Sequence, residues 1–207
     1  MLTKKDFERI VKEVDGLRGR DAVEFLKKTS PWFDPIEPAV RRVSEGLRRI
    51  EAFYVLHGLR ALPLYGVPYI SREIEFAVKF DEGGFESRLV EMGFRKLSVG
   101  PEMLTLLDLQ SNRVVRLSYR PGALEWDEEF VERAREKMDT RILSAEDYAV
   151  SLIARRQSTM RLELAAKVIY SNMDQVDRGY LEKRAAKFSV DDVIRRLFSG
   201  LEEASNR

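Results

Sequence analysis

The chain has 207 residues, of which 44% are hydrophobic and 34% charged, with a formal net charge of +1. It has no cysteine and a single histidine, which excludes disulfides, thiolate catalysis, cysteine-based zinc sites and histidine metal clusters. No apolar run nears the roughly 20 residues of a membrane span, and the balanced charge exerts no global pull toward nucleic acid, so any such binding needs a local patch.

Met1 to Glu13 is charged and amphipathic, unlike a signal peptide, so a cytoplasmic protein without a membrane partner is the expectation. Arginine is abundant and Asn and Gln are scarce, a bias seen in thermophile proteins. Residues 3 to 29 predict two helices broken near Gly16 and Gly19. Phe7, Ile10, Val11 and Val14 recur at helical spacing, as do Ala22, Val23, Phe25 and Leu26 behind Asp21, a cap candidate. Ser30-Pro31-Trp32-Phe33-Asp34-Pro35 reads as a rigid turn, in which Trp32 and Phe33 are either packed or a knob for a partner. Pro38 suits the first turn of a helix whose stripe is Val40, Val43, Leu47 and Ile50.

Tyr54 to His57 then reads as a buried strand, Gly58 to Tyr65 as a glycine-led helical turn, Gly66-Val67-Pro68 as a turn and Ile70 to Val78 as a second strand. Asp81-Glu82-Gly83-Gly84 is a loop lacking the Lys and Ser/Thr of a phosphate-binding loop. A short helix from Phe85 to Met92 ends at Gly93. Leu104 to Leu109 and Val114 to Tyr119, flanking Gln110-Ser111-Asn112-Arg113, predict a β-hairpin, stopped by Pro121-Gly122. A helix or loop runs to about Met138, and Arg141-Ile142-Leu143 adds a short edge strand. From Ser144, whose Ser-Ala-Glu-Asp opening looks like a helix cap, three or four helices follow, with breaks near Gln157-Ser158, Ser171-Asn172 and Phe188-Ser189. The chain thus divides into a helical segment at 1–52, an α/β core at 53–143 and a helical region at 144–207.

The chemistry concentrates between Tyr54 and Val78. Glu73 and Glu75 lie two apart on one predicted strand, so both carboxylates leave the same face. Gly58 ends the preceding strand, where a glycine lets backbone N–H groups approach phosphate. Together these can serve metal-assisted phosphate chemistry, with the carboxylates holding Mg²⁺ or Mn²⁺; the plain alternative is two polar residues on an exposed strand face.

The same residues resemble the core motif of minimal nucleotidyltransferase-fold proteins of the abortive-infection toxin type. That motif runs roughly Gly-Gly-x-Ala, Gly-x-Pro-Arg-x-Thr, Asp-x-Asp. Gly58, Leu59 and Ala61 match its first part, Gly66, Pro68, Tyr69 and Ser71 its turn, and Glu73 and Glu75 its two aspartates. Leu143-Ser144-Ala145-Glu146-Asp147 and Val176-Asp177-Arg178-Gly179-Tyr180-Leu181 resemble the family's helical tail. The resemblance spans about Phe53 to Phe198 and implies an α+β fold: a nucleotidyltransferase-like mixed sheet flanked by helices, with a helical N-terminal cap and C-terminal extension. It also implies nucleotide contacts at Gly58, Arg60, Ser71 and Arg72 and three carboxylates around two metal ions.

Several positions depart from the active pattern. Both aspartates have become glutamates, which pushes the carboxylates outward where magnesium demands near-ideal geometry. Leu59 replaces a glycine and Tyr69 an arginine. The family's third carboxylate aligns with Arg116, which would neutralise Glu73 and Glu75. Asp108 can substitute only if the hairpin register brings it within reach of the two glutamates. Three readings follow: a degenerate protein that binds nucleoside triphosphate or a protein partner, an active transferase using Glu73, Glu75 and Asp108, and an interaction protein such as a homodimer or toxin–antitoxin component. His57 and Arg60 are read first as a structural histidine and a solvated arginine. The basic tail (Arg155-Arg156, Arg161, Lys167, Lys183-Arg184, Lys187, Arg195-Arg196) is a solvated helical face or a contact for RNA.

Overall fold

Tyr54, Val55 and Leu56 are buried in succession, the mark of a strand enclosed on both faces, and they define β1 (Phe53–His57). A computed structural model describes residues 1–17, 21–79, 85–154 and 156–206. Gly19, the Asp81-Glu82-Gly83-Gly84 loop and Arg155 lie outside the described residues. The fold is α+β, with a seven-stranded mixed sheet flanked by helices, as the sequence led one to expect. The chain forms two compact units, each discontinuous in sequence. A sheet unit takes Ser30–Ala61 and Tyr69–Leu143, and a helical unit takes Met1–Thr29, Leu62–Pro68 and Ser144–Arg207. Among the described residues no helix is long and apolar enough to cross a membrane.

In the sheet unit, α3 (Pro38–Arg49) carries Pro38 in its first turn and packs its Val40, Val43 and Leu47 stripe toward β1. A 3₁₀ helix (Leu59–Tyr65) follows β1, and β2 (Ile74–Lys79) returns antiparallel to it, with His57 opposite Glu75. The predicted second strand is therefore shorter than expected: residues 67–73 form no regular structure, and Glu73 precedes the ladder. After α4 (Phe85–Glu91) come β3 (Phe94–Val99), β4 (Met103–Asp108) and β5 (Arg113–Ser118), an antiparallel meander whose last strand runs parallel to β2. Beyond α5 (Glu128–Arg133), β6 (Arg135–Lys137) and β7 (Thr140–Ile142) form a hairpin. Its turn residues Met138 and Asp139 both take positive φ, as the tight two-residue turns that match strand twist require.

The sheet order is β3-β4-β5-β2-β1-β7-β6. The strand at Arg141 is thus interior, because β7 pairs with β1 on one side and β6 on the other. The edge on that side, β6, reads Arg-Glu-Lys, a charged rim that resists pairing with another chain.

In the helical unit, α1 (Lys4–Asp15) opens with a capping box between Thr3 and Asp6, and α2 (Ala22–Thr29) follows Asp21, whose carboxylate accepts from the Val23 N–H at 2.8 Å. Helices α6 (Ala145–Ala154), α7 (Thr159–Ser171), α8 (Arg178–Lys187) and α9 (Asp191–Ser205) complete it, α1 lying against α7 and α9. Gly200 of α9 has no side chain because the Phe7 ring occupies that space. The Ser-Ala-Glu-Asp and Asp-x-x-Tyr-Leu stretches meet in a buried network. The Ser144 hydroxyl donates to Asp147 at 2.9 Å, the Tyr180 hydroxyl donates to both Asp147 oxygens at 3.0 and 2.9 Å, and Arg184 donates from Nε. Glu146 accepts from the Asp177 N–H at 2.8 Å, fastening the start of α8. The Leu62–Pro68 segment belongs here through Tyr65, which stacks on Tyr148 at 4.1 Å and accepts from the Asn172 amide at 2.9 Å.

Candidate functional site

Glu75 leaves the sheet on β2, opposite Arg116 of β5 in the parallel register. Glu73 sits in the extended lead-in to β2, where its N–H donates to the Ser71 hydroxyl at 3.2 Å. The Arg116 guanidinium reaches both carboxylates from one nitrogen, Nη1, at 2.9 Å to Glu73 and 3.3 Å to Glu75. The three side chains remain accessible: 58% for Glu73, 31% for Glu75 and 39% for Arg116. The Glu73 contact, with lesser help from Glu75 and against a burial cost, raises the Arg116 pKa above its ordinary value.

Gly58 adjoins this trio. Its φ of +69° is a left-handed conformation that glycine adopts without strain. A Cβ at Gly58 would fall on the Glu75 carboxylate, so the missing side chain is what lets Glu75 lie over the backbone. Gly58, Glu73, Glu75 and Arg116 are therefore brought together.

Asp108 is not among them. The β4–β5 connection contains four residues, Leu109 to Asn112, with Asn112 at φ +54°, and it sets Asp108 opposite Arg113 and Thr105 opposite Arg116. Side chains alternate along a strand, so Asp108 shares the buried face of Leu104 and Leu106, opposite to that of Arg116. There it is 1% exposed and held by Arg42 of α3, the Ser111 hydroxyl and the Gln110 N–H at 3.2 Å. Burial pushes the Asp108 carboxyl up, but Ser111 and Arg42 outweigh it and hold the group below its ordinary value. Its work is to pin the hairpin to α3. Among the described residues no group of three His, Asp or Glu side chains is placed to hold a metal ion.

Arg60 is neither solvated nor open to phosphate. It is 1% exposed, and its donors are spent on the carbonyls of Pro35 (3.1 Å), Ser71 (2.7 Å) and Asp34, with Glu37 at 3.4 Å and the Phe33 ring 4.9 Å below. Burial pulls its pKa down and Glu37 opposes that. Ser71 is buried, whereas Arg72 is exposed and offers its carbonyl to Arg113 Nη2 at 3.1 Å. Arg113 also donates from Nε to Glu37 at 2.9 Å. Arg60 and Arg113 together stitch the 30–37 turn to the Ser71–Glu73 lead-in. Sequence reasoning passed over Arg42, Glu37 and Arg113, whose partners are 23 or more residues away and leave no local signal.

No protein-family model matches the chain, and no curated protein matches it significantly.

Proposed function

We propose that this is a nucleotidyltransferase-like protein that has kept the scaffold, lost turnover and acts by binding a nucleoside triphosphate. The observation that carries the reading is Arg116 bridging Glu73 and Glu75 from a single nitrogen. In the family pattern a carboxylate stands at that position and a divalent cation between the acids. Here a tethered cation occupies the position, and an incoming Mg²⁺ or Mn²⁺ has to displace it while meeting strict ligand distances. The replacement of both aspartates by glutamate, and of family glycine and arginine by Leu59 and Tyr69, weakens phosphate handling in the same direction. The helix-flanked mixed sheet agrees with the scaffold that the motif implies.

The test is a transfer assay with labelled nucleoside triphosphates in Mg²⁺ or Mn²⁺, run beside thermal unfolding with the same nucleotides. The expected result is no transfer and a raised unfolding midpoint that survives EDTA. Ligand at about 100 times its dissociation constant adds about 2.7 kcal/mol of stability. Transfer that disappears in Glu75→Ala overturns the reading, and so does the absence of any shift.

A further inference from the structure

Trp32 is 69% exposed, yet the turn it stands on is tied by several hydrogen bonds. The Phe33 N–H donates to the Ser30 carbonyl at 2.8 Å, the Ile36 N–H donates to the Asp34 carboxylate at 2.9 Å, and the buried Phe33 ring meets the indole edge-on at 6.3 Å. The Arg60 guanidinium then fastens the carbonyls of Asp34 and Pro35 to that of Ser71. A fully buried cation spent on backbone carbonyls fixes where this turn lies relative to the Ser71–Glu73 lead-in. A large exposed ring whose backbone is already immobilised loses little freedom on binding, the property of a contact residue rather than of a stray surface aromatic.

The turn is tied through Arg60 to Ser71, the residue before Arg72. The Arg72 side chain is exposed and makes no ion pair among the described residues, while Arg60, Arg113 and Arg116 are all committed internally. One flat apolar ring and one unspent guanidinium, on two stretches locked together, match a ligand that is flat and aromatic at one end and anionic at the other. We propose that Trp32 is the stacking platform for the base of a bound nucleoside triphosphate and that Arg72 meets its phosphates. This rests on the nucleotide-binding reading above and adds to it the two side chains that would carry affinity, both outside the Glu73/Glu75 pair.

The chain has two tryptophans, and Trp126 is half-buried with its Nε1 donating to the Tyr119 carbonyl at 2.7 Å. In Trp126→Phe the remaining emission therefore reports Trp32. Each of the four ribonucleoside triphosphates is titrated into this variant, with Mg²⁺ and with EDTA, while equilibrium dialysis on the unsubstituted protein measures binding independently. Saturable quenching is expected. Trp32→Ala should weaken binding roughly ten- to a hundredfold, as loss of one base–aromatic stack does, and Trp32→Phe should restore most of it. Arg72→Ala should weaken binding and flatten its salt dependence. If Trp126→Phe does not fold, dialysis of Trp32→Ala and Trp32→Phe decides alone, since Trp32 is exposed and its loss leaves the core intact. Nucleotide retained by dialysis with Trp32→Ala unchanged sinks this inference and leaves nucleotide binding standing. No nucleotide bound at all sinks both. A Trp32→Ala variant that binds nucleotide normally but falls from dimer to monomer on sizing also overturns the proposal, assigning the indole to self-association.

Discussion

Two arginine–carboxylate clusters in this molecule use the same chemistry for different ends. In the helical unit, Asp147 and Arg184 are sealed from water, at 0% and 4% side-chain exposure, and every remaining Asp147 contact is taken by Ser144 and Tyr180. Burial pushes the Asp147 carboxyl up, and Arg184, Tyr180 and Ser144 offset only part of that, so the group stays above its ordinary value. In the sheet unit, Arg116 joins two acids at a wet surface, where either acid can exchange the guanidinium for solvent at little cost. The sealed cluster holds helices together. The open one pairs its charges where solvent and ligands can still reach them, which is why it, and not the buried pair, is the candidate site.

Removing one member of each cluster should separate them. Asp147→Ala strands the buried Arg184 charge and should cost about 3–5 kcal/mol in urea unfolding, whereas replacing both partners with apolar residues recovers much of it. Arg60→Met, which leaves three carbonyls without their donor, should cost about 2–4 kcal/mol by the same measurement. Gly58→Ala should lose about 1–2 kcal/mol from its positive φ, and adding Glu75→Ala should remove the collision but not the backbone strain. Arg116→Ala should change stability by less than about 1 kcal/mol while increasing Mn²⁺ retention by the freed acids in equilibrium dialysis; a loss as large as that of Asp147→Ala would erase the distinction.

The smallest effect concerns a third cluster, at the surface of the helical unit. Glu163, bound by Arg9 at 2.9 Å and Lys167 at 2.9 Å, is pulled down from 4.5 to about 2, chiefly by Arg9 and against a burial cost. Because the folded value is depressed, this contribution is complete above pH 4.5 and is lost as pH falls from 4.5 toward 2. Exposure limits it to under about 1 kcal/mol, and Glu163→Gln should flatten the acid limb of a stability–pH profile by that amount.

Local signals made much of the architecture legible. The helical stripes of α1 and α3, the Asp21 cap, the paired runs of β4 and β5, and the breaks between α6 and α9 all depend on residues within one turn or one strand of each other. The resemblance aligned Arg116 with Glu73 and Glu75 but left open where its side chain points, and the structure turns it onto both acids. What failed depended on distant partners or a single-residue count. Arg60 looks like any surface arginine until the carbonyls of residues 34, 35 and 71 surround it. Asp108 could face Arg116 in one hairpin register and turn away from it in another, and the pairing of Asp108 with Arg113 selects the second. Both β3 and β6 escaped notice because edge strands bury few side chains, and Phe94 is the one buried residue in β3.

The discontinuity of the helical unit has a consequence for how the chain is made. Its first helices leave the ribosome long before their partners, since the whole sheet unit, interrupted by Leu62–Pro68, is encoded between Thr29 and Ser144. At ordinary rates of translation, α1 waits on the order of ten seconds for α7 and α9. During that interval Phe7, Ile10, Val11 and Val14 have no native cover, and closing the unit afterward carries the entropy of a loop longer than about 100 residues. The sheet unit is thereby the part that can assemble first, with the helical unit sealed only once α9 has been made.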